Sequence, residues 1–304
     1  MVALGGHALL PPGAPASVAT QRTSLRRALD FLAEVAAGGA PIAIVHGNGP
    51  QVGHALIRSE AGLGRAYEVP LDVCVAQTQG EIGYLIQEAL GDLLRTKGIG
   101  RGVITAITQS VVEVSPDGTG GPMKPVGPFY PSPPPGPFPV MEDAGRGYRR
   151  TVPSPRPAAI VEATVLRGLF EQGVVVVAAG GGGIPVRRTE DGSLAGVAAV
   201  VDKDWAAAIL ALALGARRIL DLTAVDGVKL GFGGAHERDL RRLTPAEARR
   251  HLEAGEFHSG SMGPKIEAAL HFLEQGGSDV IITSPQLARE ALNGRAGTRI
   301  ARQD

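Results

Sequence analysis

Lysine is scarce in this chain of 304 residues, and its placement indicates the chemistry that it serves. Lysine and arginine together number 30, of which only five are lysine. Lys203 lies between two aspartates where a helix is predicted to begin, and Lys265 lies in the first turn of another predicted helix. A cation at a helix N-terminus opposes the helix dipole, so both lysines require an anionic partner. Together with Lys124, which lies in a proline-rich segment, they predict phosphate binding, because a compact ammonium on a flexible stem can follow a moving phosphoryl group.

The two aspartates beside Lys203 admit two interpretations. Asp202 and Asp204 could each cap the helix that begins here. Asp202 could instead orient neighbouring ammonium groups. The remaining lysines, Lys97 and Lys229, are interpreted as solvated surface charges.

Four glycine-rich turns, each after a predicted strand, could supply the other half of an anion site. They are Gly5-Gly6-His7, Gly47 to Gly53, Gly180 to Gly183, and Gly260 to Lys265. Glycine lets backbone N–H groups approach an anion, and a following helix adds a favourable dipole. One such turn is as often a simple tight turn, but four of them predict a phosphate-binding crevice at the carboxyl ends of parallel strands.

Other nucleotide and metal signatures do not fit. The loop from Gly47 reads G-x-G-x-x-x-G rather than the dinucleotide fingerprint, and no G-x-x-x-x-G-K-[ST] motif occurs. The stretch His236 to Leu240 superficially resembles a protein-kinase catalytic loop, but its spacing is wrong and no D-F-G follows. The seven histidines lack metal-ligand spacing, and the single cysteine, Cys74, excludes a cysteine-built zinc site. We therefore expect no metal site made of protein side chains.

Composition narrows the partners and the compartment. The net charge is zero and the isoelectric point is near 7.1, so the chain lacks the broad basic field of a nucleic-acid binder or a polybasic membrane anchor. No apolar run reaches the roughly 18 to 20 residues that cross a bilayer, and Met1 is followed by no charged leader. A single cysteine suggests a reducing compartment. We expect a cytoplasmic protein that binds neither nucleic acid nor membranes.

The elements that must position these residues alternate between strands and helices. Strands are predicted at 2–4, 41–45, 103–112, 174–179, 218–223 and 279–283. Helices are predicted at 18–37, in two stretches reaching 65 and 97, and at 158–172, 204–214, 264–275 and 286–292. This alternation is typical of an α/β protein with a largely parallel sheet.

A segment rich in proline and glycine between residues 116 and 139 interrupts the alternation. It can form neither a helix nor a central strand. One interpretation is a flexible linker between two domains. The other is an ordered excursion or lid, which the presence of Lys124, Phe129, Tyr130 and Phe138 favours.

Several long motifs, in order along the chain, resemble those of carbamate kinases, members of the amino acid kinase superfamily. The motifs are Val2 to Gly6, His46 to Gly53, Ala76 to Tyr84, Lys124 to Phe129, Glu142 to Arg150, Gly180 to Val186, Asp202 to Asp204, and Gly260 to Lys265. The resemblance implies a three-layer α/β/α sandwich around a mainly parallel sheet of about eight strands, and a homodimer. It further implies one domain over 1–304, with an acceptor half at 1–200, a protruding subdomain or lid at 115–153 and a nucleotide half at 201–304.

The resemblance also implies roles for individual residues. The expected catalytic residues are Lys203 on the transferred phosphoryl group, Lys265 on the nucleotide phosphates, Lys124 closing over carbamoyl phosphate, and Asp202 fixing the lysines. The expected acceptor site comprises Gly5, Gly6, His7, Gly47, Asn48 and Gly49. The expected nucleotide site comprises Thr223, Val225, Asp226, Gly227, Phe232, Met262 and Gly263, together with Lys203 and Lys265. The expected ligands are ATP or ADP with Mg²⁺ carried by the nucleotide, and carbamate or carbamoyl phosphate.

Three features distinguish this chain within the resemblance. Relatives that act on amino acids typically carry a lysine just before the first Gly-Gly, where this chain has Leu4, so the pattern favours carbamate. The family has Asn where this chain has His7, a titratable donor. The segment between Tyr130 and Glu142 is shorter than usual. Two alternatives remain open: a kinase for another small acid, and a catalytically weak nucleotide-binding regulatory protein.

Overall fold

The fold is an eight-stranded sheet with helices on both faces and smaller sheets beside it. The computed structural model describes residues 1–10, 13–15, 17–113, 122–143, 147–234, 236–258 and 260–302, except for the side chain of His7. The strands are β1 (Val2–Leu4), β2 (Ala43–His46), β3 (Val103–Thr105), β4 (Gln109–Val112), β5 (Met123–Tyr130), β6 (Val140–Glu142), β7 (Tyr148–Pro153), β8 (Pro157–Ile160), β9 (Val175–Val177), β10 (Ile184–Arg188), β11 (Leu194–Gly196), β12 (Arg218–Leu222), β13 (Val228–Leu230), β14 (Arg238–Leu240), β15 (Arg242–Leu243), β16 (Asp279–Thr283) and β17 (Thr298–Ala301). The helices are α1 (Gly6–Leu9), α2 (Val18–Ala28), α3 (Asp30–Ala37), α4 (Gly49–Ala61), α5 (Leu71–Thr96), α6 (Ala163–Glu171), α7 (Lys203–Leu214), α8 (Pro245–Glu253), α9 (Met262–Glu274) and α10 (Ala288–Leu292), with 3-10 turns at Gly180–Gly182 and Pro285–Leu287.

The main sheet has the strand order β15-β17-β16-β12-β1-β2-β9-β3 across the described ranges. Only the β16–β17 pair is antiparallel. The strands β1, β2, β9 and β16 are buried along their whole length, which explains their largely apolar sequences. The polar exceptions lie at strand ends and are His46, Asp279 and Thr283. The predicted, mainly parallel sheet of about eight strands is confirmed.

Alternate residues of the strands face two different helical layers. Val2 and Leu4 pack in one core with α2, α3 and α5, whereas Ala3 packs in the opposite core with α6 and α7. A further core joins β16 and β17 to α9 through residues such as Phe272. The predicted three-layer sandwich is therefore confirmed. No helix within the described ranges is both long and apolar enough to cross a membrane.

Three predicted elements are wrong in their bounds. The predicted helix 18–37 is two helices separated at Leu29. The predicted strand 103–112 is two strands in different sheets, because Gln79 and Thr108 exchange hydrogen bonds where the chain leaves the main sheet. The predicted helix 158–172 begins only at Ala163, since Pro157 opens a short strand, β8, that pairs with β4.

The proline-rich segment forms an ordered sheet where the structure describes it, so the flexible-linker interpretation is wrong there. The segment contributes β5, and β6 and β7 follow it in the chain; the three strands form a sheet in the order β5-β7-β6, all antiparallel. Pro125 and Pro128 lie in β5, an edge strand, where a missing N–H donor is tolerated. Residues 114–121 and 144–146, which belong to the predicted 115–153 subdomain and to the Glu142–Arg150 motif, lie outside the described residues.

Candidate active site

The acceptor loops meet at the carboxyl ends of β1, β2 and β12. Because Leu4 lies in register with His46 on one side and Leu222 on the other, the loops that follow these strands begin side by side. The Gly47 N–H donates to the Leu4 carbonyl at 2.9 Å, and the Gly5 N–H donates to the Leu222 carbonyl at 2.7 Å. The backbone at Gly6 starts α1, and that at Gly49 starts α4. The structure thus brings the glycines of the predicted acceptor site together; the side chain of His7 lies outside the described residues.

The glycine tract at 180–183 packs beneath this loop. A Cβ atom on Gly181 would lie 2.2 Å from Asn48 Nδ2, so glycine at this position leaves room for the Asn48 side chain. Gly181 also has a φ of +65°, in the left-handed region. The buried Asn48 side chain donates from Nδ2 to Thr78 Oγ1 at 2.9 Å, which fixes the direction of its amide. The tract therefore acts as a floor for the loop that carries Asn48.

Two lysines and two aspartates form a buried ring of alternating charge between α7, α9 and β12. Lys265 Nζ donates to Asp204 Oδ2 at 2.9 Å and to Asp221 Oδ2 at 2.8 Å. Lys203 Nζ donates to Asp221 Oδ1 at 3.2 Å and also pairs with Asp204. Each of the four side chains is no more than 10% exposed. The anionic partners that Lys203 and Lys265 require are therefore carboxylates of the protein itself.

The ring favours the charged forms of Lys265 and Asp204. Burial alone would lower the pKa of Lys265, but the Asp204 and Asp221 carboxylates outweigh it and raise that pKa. Burial alone would raise the pKa of Asp204, but Lys203 and Lys265 outweigh it and lower that pKa. The shifts of Lys265 and Asp204 both favour the charged form, so each of these two groups stabilises the charge of the other.

Asp202 fulfils both of its proposed roles at once. Its Oδ1 accepts the Asp204 N–H at 2.8 Å and so caps α7. Its Oδ2 accepts from Lys124 Nζ at 3.0 Å, and Lys124 also donates to the Val201 carbonyl at 3.3 Å. Asp204, by contrast, lies in the first turn and pairs with lysines rather than capping the helix. The start of α7 therefore gathers all three of the predicted lysines around one turn of backbone.

The three-stranded sheet is docked against α4, which explains how Lys124 reaches this point. A Cβ atom on Gly53 of α4 would lie 2.0 Å from the Cα of Gly127 in β5. The buried Arg149 side chain donates from Nε to the Gly127 carbonyl at 3.1 Å and pairs through Nη1 with Asp143 at 3.0 Å. Its guanidinium lies 4.8 Å from the centre of the Phe129 ring. These contacts hold β5 at the mouth of the acceptor loops.

The predicted nucleotide residues lie beyond β12, on the side towards β16 and α9. Thr223 donates its N–H to the Thr283 carbonyl at 2.8 Å, and Thr283 Oγ1 donates to the Asp226 carbonyl at 3.4 Å. Between them Val225 is half-buried, and Gly227 continues to β13. The ring of Phe232 is 68% exposed in the turn after β13. These positions follow β12, the strand that carries Asp221 of the lysine ring.

The start of α9 carries Met262 and Gly263, the remaining residues of the predicted nucleotide site. Met262 is half-buried at the first position of the helix and packs on the apolar core below it. The Gly263 N–H donates to the His258 carbonyl at 2.9 Å, which closes the turn before the helix. This turn directs Lys265 inwards to the two aspartates.

Sequence reasoning missed Asp221, Gln79 and Arg149. The signal for Asp221 was available, because a lone carboxylate inside an apolar strand requires a buried partner. Gln79 donates from Nε2 to the carbonyls of Thr108 and Gly180, both at 3.0 Å, and so supports the glycine tract.

Within the described ranges, no group of three or more His, Cys, Asp or Glu side chains is arranged to hold a metal ion.

Comparison with known proteins places this geometry in a family. The model of the amino acid kinase family matches residues 1–284. The carbamate kinase of Halobacterium salinarum is 45% identical over 311 residues, which cover 100% of this chain and 98% of that protein. The carbamate kinase-like protein YahI of Escherichia coli is 42% identical, with 99% and 98% covered. A structure of carbamate kinase from Giardia lamblia bound to AMP-PNP superimposes with a TM-score of 0.89 at 36% identity, with 99% and 98% covered. The chain therefore belongs to the amino acid kinase family and, within it, to the carbamate kinases.

Proposed function

We propose that this protein transfers a phosphoryl group reversibly between carbamoyl phosphate and ADP, giving carbamate and ATP. The observation that carries the proposal is the convergence of Lys124, Lys203 and Lys265 on the start of α7, beside the glycine loops. Each ammonium has three N–H donors. Within the part of the chain that the structure describes, each spends two of them on the contacts given above, which leaves one N–H of each lysine for a phosphate oxygen.

The proposed reaction is a direct displacement at phosphorus. A terminal phosphate oxygen of ADP attacks the phosphorus of carbamoyl phosphate, and the bond from phosphorus to the carbamate oxygen breaks with its electron pair. Carbamate leaves as an anion, so no proton has to move and no covalent enzyme intermediate is needed. Catalysis then consists of positioning and electrostatic stabilisation.

Each part of the site has a proposed role in that step. Backbone N–H groups of the Gly5 and Gly47 loops, with Asn48, hold the acceptor side. Lys203 stabilises the charge on the transferred phosphoryl group. Lys265 holds the nucleotide phosphates, and the residues from Thr223 to Gly227 with Phe232 and Met262 border the rest of the nucleotide. Lys124, held by Asp202, covers carbamoyl phosphate.

We propose that Mg²⁺ enters with the nucleotide. The carboxylates of Asp202, Asp204 and Asp221 are each engaged with a lysine, which leaves them poorly suited to serve as a resident metal site. Bound to the nucleotide, the ion would neutralise charge on the phosphates.

A homodimer is the proposed assembly, in a cytoplasmic setting. The side chains of Tyr84, Ile104 and Ile107 are 56%, 40% and 52% exposed. They lie together, because Thr105 of the edge strand β3 donates from Oγ1 to the Gly83 carbonyl of α5 at 2.8 Å. An exposed apolar face beside an open sheet edge fits a second copy of the chain. Sedimentation equilibrium tests this: Tyr84→Asp with Ile104→Asp should convert a dimer to a monomer, and a wild-type monomer would contradict the proposal.

A coupled assay of ATP formation tests the activity. Enzyme with ADP, Mg²⁺ and carbamoyl phosphate should form ATP continuously, whereas acetyl phosphate in place of carbamoyl phosphate should support much less. A preference for acetyl phosphate or another acyl phosphate would favour a kinase for a different small acid. ADP binding without turnover would favour a regulatory protein.

A further inference from the structure

Asp221 is a carboxylate in the interior of the main sheet. It lies in β12 between Leu220 and Leu222, and only 4% of its surface is exposed. Its neighbours in register are Ala3 of β1 and Ile282 of β16, which offer it no polar side chain. A buried carboxylate without partners is strongly destabilising. The partners that explain its presence are therefore the two lysines above it.

The charged groups around these ammoniums come from four elements, α7, α9, β12 and, through Lys124, β5. Lys203 and Asp204 belong to α7, Lys265 to α9 and Asp221 to β12, with the pair of Asp202 and Lys124 at the start of α7. The remaining wall of the space between sheet and helices is apolar, formed by Ala3, Ala207, Ile219, Ala268, Ala269 and Val280. Without Asp221, two ammonium groups would share the single carboxylate of Asp204. A net positive charge would then be buried in an apolar surround.

We propose that Asp221 is a positioning residue for phosphoryl transfer, which holds the ammonium groups of Lys203 and Lys265 side by side at the start of α7. This inference rests on the proposed function. Asp221 contacts both ammoniums through separate oxygens, Oδ1 with Lys203 and Oδ2 with Lys265. One carboxylate therefore sets the spacing of the two charges, and each lysine keeps one N–H for phosphate.

A competing role for Asp221 predicts the opposite effect of its removal on nucleotide binding. Asp221 could compete with phosphate for the lysines, so that its removal strengthens nucleotide binding. A positioning role predicts instead that removal slows turnover and allows Lys265 to lose its proton at a lower pH. The raised pKa of Lys265 depends in part on Asp221, so its removal lowers that pKa.

The first experiment compares Asp221→Asn with Asp279→Asn. Asp279 is a matched control, because it is also a buried aspartate, lies on the adjacent strand and pairs with two basic residues, Arg218 at 2.9 Å and Arg299 at 3.0 Å. Asp221→Asn should lower kcat by at least about tenfold and move the alkaline limb of the pH profile to lower pH. Asp279→Asn should lose stability while its alkaline limb stays where it is in the wild type. Equal pH profiles in all three proteins, or faster turnover in Asp221→Asn, would overturn the inference.

The second experiment needs no substrate. The chain has only five lysines, so selective ¹³Cε-lysine labelling gives a spectrum of five signals, which Lys203→Arg and Lys265→Arg assign. In the wild type the Lys265 signal should not titrate up to the ordinary lysine pKa of about 10.4, and in Asp221→Asn it should titrate at a lower pH than in the wild type. An unchanged Lys265 titration would overturn the inference. An inactive wild-type protein whose Lys265 signal still responds to Asp221→Asn would overturn the proposed function instead, and would support the hold of Asp221 on the lysines.

Discussion

Lys203 occupies the first position of α7, where the helix dipole disfavours a cation, and the fold compensates with carboxylates. Asp204 and Asp221 both contact its ammonium. Such an arrangement adds little to the stability of the fold, because burying an ion pair is seldom more stabilising than apolar packing. It is useful when a charge must be held ready for a substrate, which is how we interpret it.

Lys203→Ala should therefore lower kcat by about 100- to 1,000-fold, the loss typical of removing one electrostatic donor to a transition state, with a smaller effect on KM. Lys229→Ala is the control, since Lys229 pairs with Glu237 at the turn after β13. Steady-state kinetics of ATP formation measures both. A Lys203→Ala enzyme with more than about a tenth of the wild-type kcat would remove Lys203 from its proposed role.

Lys124 belongs to the small sheet and not to the proposed nucleotide half. Its loss should therefore affect carbamoyl phosphate and leave ADP affinity largely unchanged. Calorimetry on Lys124→Ala should show ADP binding within a few-fold of the wild type, while turnover with carbamoyl phosphate collapses. Lys97→Ala, which removes a pair with Asp30, should leave both quantities unchanged. An equal weakening of ADP binding and turnover would place Lys124 in the nucleotide site.

At the scale of elements, the docking of β5 on α4 depends on two glycines in contact. Gly127 has a φ of +78°, and a Cβ on Gly53 would overlap its backbone. Flexible side chains can move aside, but here the obstacle is main chain. The small sheet that carries Lys124 therefore has one well-defined position against the acceptor loops.

Gly53→Ala should displace β5 from α4 and lower turnover with carbamoyl phosphate by at least about tenfold, because overpacking of this kind costs about 1 to 3 kcal/mol. Gly168→Ala is a matched control within α6, where an added Cβ meets no atom within 4 Å. That change should stabilise the protein by up to about 1 kcal/mol through helix propensity. Kinetics and urea unfolding measure both effects. Full activity in Gly53→Ala would show that the docked position of β5 is dispensable.

The sequence was informative where an element's own residues determine it. The strand 279–283 is found as predicted, and α7 begins within one residue of its prediction, because apolar runs and a capping aspartate are local signals. The start of α6 was wrong, because the pairing of β8 with β4 depends on residues about 50 positions away. Asp221 stands out in the sequence as a carboxylate inside an apolar strand, but its partners could not be identified there. They come from two helices, one before it and one after it in the chain. Contacts made by tertiary packing are not encoded in local periodicity.

At the scale of the whole molecule, the loops proposed to bind the acceptor and the nucleotide follow strands that pair directly with one another. β1 pairs with β2 on one side and with β12 on the other, so the loops of both halves are fixed to the same continuous sheet. Their relative position is therefore set by the main-chain hydrogen bonds of the sheet. The separate three-stranded sheet that carries Lys124 is attached to this framework by the close contact of β5 with α4.

Global stability should depend on pH through His46, at the end of β2. Its side chain is 1% exposed and its Nδ1 lies 3.0 Å from the Gly47 carbonyl oxygen. Burial lowers the pKa of His46 from 6.5 to about 4, and the bond to the Gly47 carbonyl opposes this only in part. Between these two values the unfolded chain binds a proton that the folded chain does not. Stability is therefore lost as the pH falls from about 6.5 towards about 4.

The shift corresponds to about 3 kcal/mol in total, of which about 2 kcal/mol is lost by pH 5. Urea unfolding at a series of pH values should show this decline in the wild type. His46→Gln should have a shallower dependence over the same range, because glutamine does not titrate. Cys74→Ala is the control: it leaves a cavity at another fully buried position, so its free energy of unfolding should be lower at every pH but parallel to that of the wild type. Parallel curves for the wild type and His46→Gln would show that the imidazole is protonated in the folded protein near its ordinary pKa, and that the buried end of β2 admits a charge.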